Sequence, residues 1–193
     1  MKLNLPGMRE EECFTWSCTH VDDTLGHTTQ LYLQSQLRQH PHSILAPSTV
    51  DSSTWLYEHM RQLCTDIGFL VCQLRSSCTP TTCPVMRANA STYYCAGSHV
   101  HPRPCSAIAY SVHTLDFAVR QVCGMHDGAR VKHCQSIVRR LYRVFAHAYF
   151  HHRDVFERVE SATGVYARFV NVARKYELAP ESQIIIPELP TTC

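Results

Sequence analysis

Cys78-Thr-Pro-Thr-Thr-Cys83 places two thiols within reach of one ion, and far downstream His147-Ala-Tyr-Phe-His-His152 offers two imidazoles at the same spacing. Two thiolates and two imidazoles complete a tetrahedral zinc shell and leave no position for water. A closed shell of this kind organises structure and does no chemistry. The long interval between the pairs makes the metal a clasp between remote parts of one fold. A DNA-reading zinc finger keeps its pairs only about a dozen residues apart, which disfavours that reading. The competing view is that these histidines only cap carbonyls at a helix end. The matching cysteine pair argues against it.

Spacing leaves one ligand open. At about 100° per residue, side chains five apart on a helix diverge by about 140°, so His147 and His152 cannot both ligate from mid-helix. His147 and His151 could share a face, whereas His147 and His152 need the helix to end near Phe150 and the chain to turn. From spacing alone both sets stand. A rival group, Cys95, His99, His101 and Cys105, also has metal-binding spacing. Its plainer reading is two core thiols flanking an exposed His-Pro loop, since a chain of this size seldom needs two clasps.

Enzymatic chemistry fares worse. A catalytic zinc needs an open position and usually a general-base carboxylate beside its ligands, and no Glu adjoins Cys78 or His147. Many Cys–His pairs could be imagined as thiol nucleophiles, and that abundance makes none of them specific. The expectation is a non-catalytic protein with no catalytic residues.

Arg139, Arg140 and Arg143 lie on the helix that carries His147, within about a 100° sector and away from Ile137, Leu141 and Val144. Three guanidiniums on one patch make a fork-like anion site suited to a phosphorylated side chain. Lys132 and Arg130 could extend it. The alternative is an ordinary solvated helix face.

These side chains need elements to hold them. Residues 25–38 suit a helix anchored by Leu31, Leu33 and Leu37, with Asp22, Asp23 and Thr24 as candidate caps. Leu56, Met60, Leu63, Ile67, Leu70 and Leu74 recur at steps of three and four and predict a helix over 53–74. Residues 85–87 and 92–95, joined by 89–91, read as a β-hairpin. Helix returns near Ser111, with Leu115, Ala118, Val119 and Val122 as its face and Gly124 as its end; 125–130 reads as a loop. The best-defined helix spans 132–150, with Ile137, Leu141, Val144, Phe145 and Ala148 on one side. Two more, over 154–162 and 165–176, flank Thr163-Gly164, and Ile184, Ile185 and Ile186 read as an extended tail packing back. The fold class is mostly α: a helical bundle with a small hairpin. Residues 1–21 read as a flexible tail before one domain over 22–193.

The composition narrows function further. The 193 residues carry 18 basic and 16 acidic side chains, a net +2, which argues against bulk nucleic-acid binding. The longest apolar run, 67–72, cannot span a bilayer, and the first residues show no signal-peptide pattern. Cytoplasmic residence is expected. Eleven cysteines, an odd number in a reducing compartment, predict free thiols and metal thiolates and no structural disulfide. Cys64, Cys72, Cys123 and Cys134 fall in helical patterns as small buried hydrophobes.

Several stretches now combine into a signature. Cys78-x4-Cys83-Pro-Val-Met86, Cys105-Ser-Ala107 and Arg140-Leu-Tyr-Arg143-Val-Phe-Ala-His147-Ala-Tyr-x2-His152 resemble the Mob family of kinase regulators, in its phocein branch. Trp55-Leu-Tyr-Glu-His-Met-Arg-Gln-Leu-Cys64, His113-Thr-Leu-Asp116 and the closing Ile-Ile-Pro187 extend the match to about residues 16–189. The resemblance implies a Mob-type helical bundle with one structural zinc on Cys78, Cys83, His147 and His152, which chooses His152 over His151 by analogy. It implies an adaptor without enzymatic activity. Its partners would be protein kinases, Ste20-type or nuclear Dbf2-related, and a striatin-like scaffold of phosphatase–kinase assemblies. Phosphothreonine peptides would meet Arg139, Arg140 and Arg143. Such an adaptor would be peripheral to membranes through its assembly.

The chain departs from that pattern in places. A lysine pair that supports the phosphate pocket in some relatives falls at Val100 and His101, with Arg103 as the nearby substitute. The acidic surface offered to Dbf2-related kinases is thin, with only Asp51 and Glu58 around Trp55. The connection from Cys123 to Lys132 is short for the phocein branch.

Overall fold

Apolar side chains at three- and four-residue steps decide the first deeply buried helix. The computed structural model describes residues 24–97, 99–124 and 131–189. Helix α1 is Thr24–Gln39 and α2 is Ser52–Leu74. All six predicted stripe residues of α2, Leu56 through Leu74, are buried. Its start is set by Asp51, whose carboxylate accepts from the Ser53 and Thr54 amides at 3.0 and 2.9 Å. The Ser53 and Thr54 hydroxyls also donate to it, and these bonds hold the carboxyl well below the usual carboxylate range. That is the behaviour of an N-cap side chain.

α1 corrects its own prediction in part. Leu33 is fully buried and Leu37 half-buried, but Leu31 stands 55% exposed. Residues two apart on a helix face nearly opposite ways, so Leu31 and Leu33 cannot share one face; buried Thr29 takes that place instead.

The hairpin is β1 Met86–Ala88 against β2 Ser91–Tyr93, antiparallel, with Met86 opposite Tyr93 and Ala88 opposite Ser91. Asn89 takes the left-handed backbone region, φ 52°, a conformation asparagine tolerates. Helix α3 is Ala107–Cys123, one turn earlier than predicted. Ser106 caps it by accepting from the Ala109 amide at 3.3 Å, a start that the preceding Pro104-Cys105 obscured.

Helices α4 Val131–His151, α5 Arg153–Thr163 and α6 Val165–Lys175 follow. Ile137, Leu141, Val144, Phe145 and Ala148 are all buried, as expected of α4. Between α5 and α6, Gly164 sits at φ 60°, and a Cβ there would press on the His42 ring at 2.5 Å. The Glu160 carboxylate accepts from the Tyr166 and Ala167 amides at 2.6 and 3.0 Å, capping α6. After a 3-10 turn at Glu181–Gln183, Ile186 is buried and its amide donates to the Tyr142 hydroxyl at 2.9 Å. The tail packs back on α4, as its apolar run implied.

Cys64 and Cys134 are buried, and burial pushes their thiols up to about 12 and about 11. Cys72 is half-buried. Cys123 is disulfide-bonded, which corrects the expectation of none. The expected tail 1–21 and loop 125–130 lie outside the described residues. Among those residues, no helix is long and apolar enough to cross a membrane.

Candidate metal centre and basic face

The turn that carries the cysteines grows directly out of α2. The Cys78 amide donates to the Leu74 carbonyl at 2.7 Å, and the Cys83 amide to the Thr79 carbonyl at 2.8 Å. Thr79 and Thr82 lock the turn between them, each amide donating to the other's hydroxyl at 2.8 and 3.1 Å. This aims both thiols to one side. The Cys83 carbonyl then accepts from the Ala107 amide at 3.0 Å, which ties the knuckle to the start of α3.

The imidazoles arrive from the joint between α4 and α5. His147 is buried inside α4, and its Nδ1 donates to the Arg87 carbonyl of β1 at 2.7 Å. A carbonyl only accepts, so that bond fixes the proton on Nδ1 and leaves Nε2 bare towards Cys78 Sγ, 3.4 Å away. His152 is the residue between α4 and α5, with φ −142° and ψ 53°. The helix ends one residue before it, and this break turns its ring inward. Its Nδ1 lies 3.1 Å from Ser77 Oγ and its Nε2 3.4 Å from Cys83 Sγ. His151 is exposed and stacks on His147 at 4.9 Å, outside the group.

The four donor atoms of Cys78, Cys83, His147 and His152 lie within 4.8 Å of one another. Bond lengths of about 2.3 Å to sulfur and 2.0–2.1 Å to nitrogen put tetrahedral ligand edges near ~3.3–3.8 Å. The two sulfur–nitrogen separations of 3.4 Å fit that range. Burial, with the Cys83 thiol beside it, pushes Cys78 up to about 12, and burial holds His147 down to about 4. A cation entering the cluster would displace the Cys78 thiol proton and meet the bare Nε2 of His147. These residues fit a zinc ion. With four donors from the protein, no vertex is left for water.

The basic face divides. The Arg143 guanidinium lies 4.4 Å from the Tyr93 ring centroid and donates to the Tyr110 hydroxyl at 2.7 Å. Arg140 lies 4.6 Å over the Phe117 ring. Both turn towards α3, while Arg139 is exposed. Arg130 and the side chain of Lys132 lie outside the described residues. Val100 is 94% exposed, His101 is exposed, and Arg103 donates from Nε to His99 Nε2 at 3.4 Å.

The rival group changes membership. Cys95, His99 and Cys105 come together with His113 of α3, and His101 stays outside. Sequence reasoning missed His113 because the loop must fold back on α3 to meet it. The pattern Cys-x3-His-x5-Cys-x7-His was the available signal.

A family model described as the Mob1/phocein family matches residues 32–187. The chain is similar to the MOB kinase activator-like 4 of Drosophila melanogaster, 31% identical over 205 residues that cover 97% of this chain and 90% of that one. It is 32% identical to the MOB-like protein phocein of Caenorhabditis elegans, over 98% and 91% of the two chains. A likeness to the MOB kinase activator-like 2A of Arabidopsis thaliana is narrower, 27% over 57% of this chain. On a family model spanning most of its length and relatives matched nearly end to end, the chain belongs to the Mob1/phocein family.

Proposed function

We propose that this chain is a non-catalytic regulatory adaptor for protein kinases, shaped by a structural zinc and receiving phosphothreonine segments on the arginine face of α4. Relatives named as kinase activators support the regulatory part. The donor set of Cys78, Cys83, His147 and His152 supports the zinc, and its closure supports a role without catalysis.

One observation carries the phosphate reading. Arg140 and Arg143 rest on the rings of Phe117 and Tyr93, half-buried, with Arg143 also held by Tyr110. Guanidiniums fixed on aromatic supports lose little freedom when they grip an anion. Arg139, exposed on the same helix, adds charge to the approach.

A striatin-like scaffold and a Ste20-type kinase suit this surface better than direct activation of a Dbf2-related kinase. Both acids near Trp55 are engaged within the fold: Asp51 caps α2, and Glu58, buried, pairs with Arg61 at 3.4 Å. Trp55 itself is buried and donates to the Ile44 carbonyl at 3.2 Å. Glu58 and Trp55 are thereby withdrawn from the surface, and the exposed Asp51 is already engaged by the start of α2, which leaves a thin surface for a basic kinase segment. The working unit is residues 22–193, cytoplasmic and peripheral to membranes through its assembly.

The test is binding of phosphothreonine peptides against their unphosphorylated forms at two salt concentrations. A phosphothreonine brings about −1.5 to −2 charges, so binding should require the phosphate and weaken as salt rises. Arg140→Ala with Arg143→Ala should abolish it while helicity is retained. Equal binding of both peptide forms, or of both proteins, contradicts the reading.

A further inference from the structure

We propose that Cys95, His99, Cys105 and His113 form a second metal site, selective for zinc by its donor set, which fastens the 95–105 loop to α3. The proposal stands independently of the phosphate reading and of the first cluster.

Four ligating atoms of these residues lie within 4.8 Å of one another. Cys95 Sγ is 3.5 Å from His113 Nδ1, and Cys105 Sγ is 3.1 Å from His99 Nε2. The two rings stand edge to face at 5.1 Å, so each turns a nitrogen to the common centre. These separations fall at or near the ~3.3–3.8 Å edges of a tetrahedral zinc with two sulfur and two nitrogen ligands. Two soft thiolates with two imidazoles in that shape select zinc over calcium or magnesium.

The backbone is built to bring the donors together. Cys95 and Arg103 exchange two hydrogen bonds, at 2.8 and 3.1 Å, closing the loop between them. Cys105 follows at once, its carbonyl fixed by the Met86 amide at 3.1 Å. Gly97 lets the loop lie against the helix, for a Cβ there would stand 3.1 Å from the His113 carbonyl and 3.6 Å from Phe117 Cβ. That close approach carries Cys95 and His99 to either side of His113.

Apolar packing does not explain the arrangement. Tyr94 is 60% and Val100 94% exposed, and His101, Pro102, Arg103 and Pro104 are exposed as well. Cys95 is the buried anchor of this loop, and both its thiol and that of Cys105 are free. A loop with so little apolar burial needs another fastening, and two unpaired thiols facing two imidazoles provide one. Arg103 Nε now points at His99 Nε2 from 3.4 Å. That contact is long and its side chain exposed, so the guanidinium can swing to water when an ion takes the nitrogen. With four protein donors the shell is closed, and the site is structural.

The site also adjoins the basic face. His113 and Phe117 are one turn apart on α3, and Phe117 is the ring beneath Arg140.

The deciding experiment is zinc per chain, by native mass spectrometry and elemental analysis, in wild type and in the double variant Cys105→Ser/His113→Ala. Two ions in wild type falling to one, with helicity unchanged, support the site. A variant that keeps the wild-type count overturns it, as does wild type with no zinc. One ion in wild type that the variant loses supports this site and sinks the cluster at Cys78. Should the variant not fold, anomalous scattering at the zinc edge from wild-type crystals decides. A peak between these four side chains supports the proposal, and its absence there overturns it.

Discussion

The clusters at Cys78 and at Cys95 offer the same donors, two cysteines and two histidines, yet they sit in the fold quite differently. In the first, three of four residues are buried and the halves are 69 residues apart, from the end of α2 to the joint of α4 and α5. In the second, one residue is buried and the outermost pair is 18 apart, a loop against its neighbouring helix. Closing the longer loop constrains the unfolded chain more, by about 1 kcal/mol in chain entropy alone. Burial adds the larger difference. Losing one ligand inside the core leaves other polar groups there without partners, whereas the half-exposed loop can turn its groups to water. On the proposed metal reading, identical chemistry would serve as a keystone in one place and as a local fastening in the other.

Truncation of a ligand should separate the two most sharply. His147→Ala removes a donor from a site whose apparent binding energy would be about 10–16 kcal/mol, comparable to the whole stability of a domain at about 5–15 kcal/mol. Soluble, helical protein should be lost. His113→Ala should leave a folded chain that melts roughly 4–12 °C lower, for about 2–3 kcal/mol. Equal damage from both substitutions, read by circular dichroism, would erase the distinction.

Acid gives a control that belongs to neither cluster. His59 of α2 is fully buried, edge to face with Trp55, and neither ring nitrogen has a partner among the described residues. Burial, then the charges of Arg168 and Lys175, hold it down to about 3 against an ordinary 6.5. The unfolded chain takes its proton first as pH falls, so stability drops below pH 6.5 and continues to drop towards pH 3. The slope is up to about 1.4 kcal/mol per pH unit. His59→Leu should remove that part of the acid sensitivity and match or exceed wild type in Tm at pH 5. An unchanged pH profile would show that acid acts elsewhere, with displacement of metal as the first suspect.

The smallest effect sharpens the second cluster alone. Gly97→Ala forces the loop a few tenths of an ångström away from the His113 carbonyl. It should cost under about 1 kcal/mol while loosening the ion at Cys95 and sparing the one at Cys78. Competition against a chromophoric chelator would resolve the two affinities, and an equal shift in both would be a failure.

Legibility in the sequence followed the range of the physics involved. α2 and α4 could be read from their stripes because burial of one face repeats locally, and the start of α6 after Gly164 could be read for the same reason. The first turn of α3 was missed because Ser106 caps it behind a proline, where helix reads as loop. Spacing could not choose between His151 and His152, since the choice depends on where α4 ends. The structure breaks the helix at His152. The sector of Arg139, Arg140 and Arg143 followed from helical angle. What separates Arg139 from the others is Tyr93, Tyr110 and Phe117 on other elements. His113 was missed as a candidate ligand although its spacing from Cys105 could be read, since only the folded loop brings Cys95, His99 and Cys105 to it.

The most direct test of the keystone and the fastening is graded zinc removal from the intact wild-type chain by a strong chelator, with released metal and helicity recorded together. The account predicts two steps: one ion leaves while helicity holds, and the second leaves as the fold collapses. Release of all bound zinc with helicity intact would contradict it, because the cluster of Cys78, Cys83, His147 and His152 would then not be holding the fold.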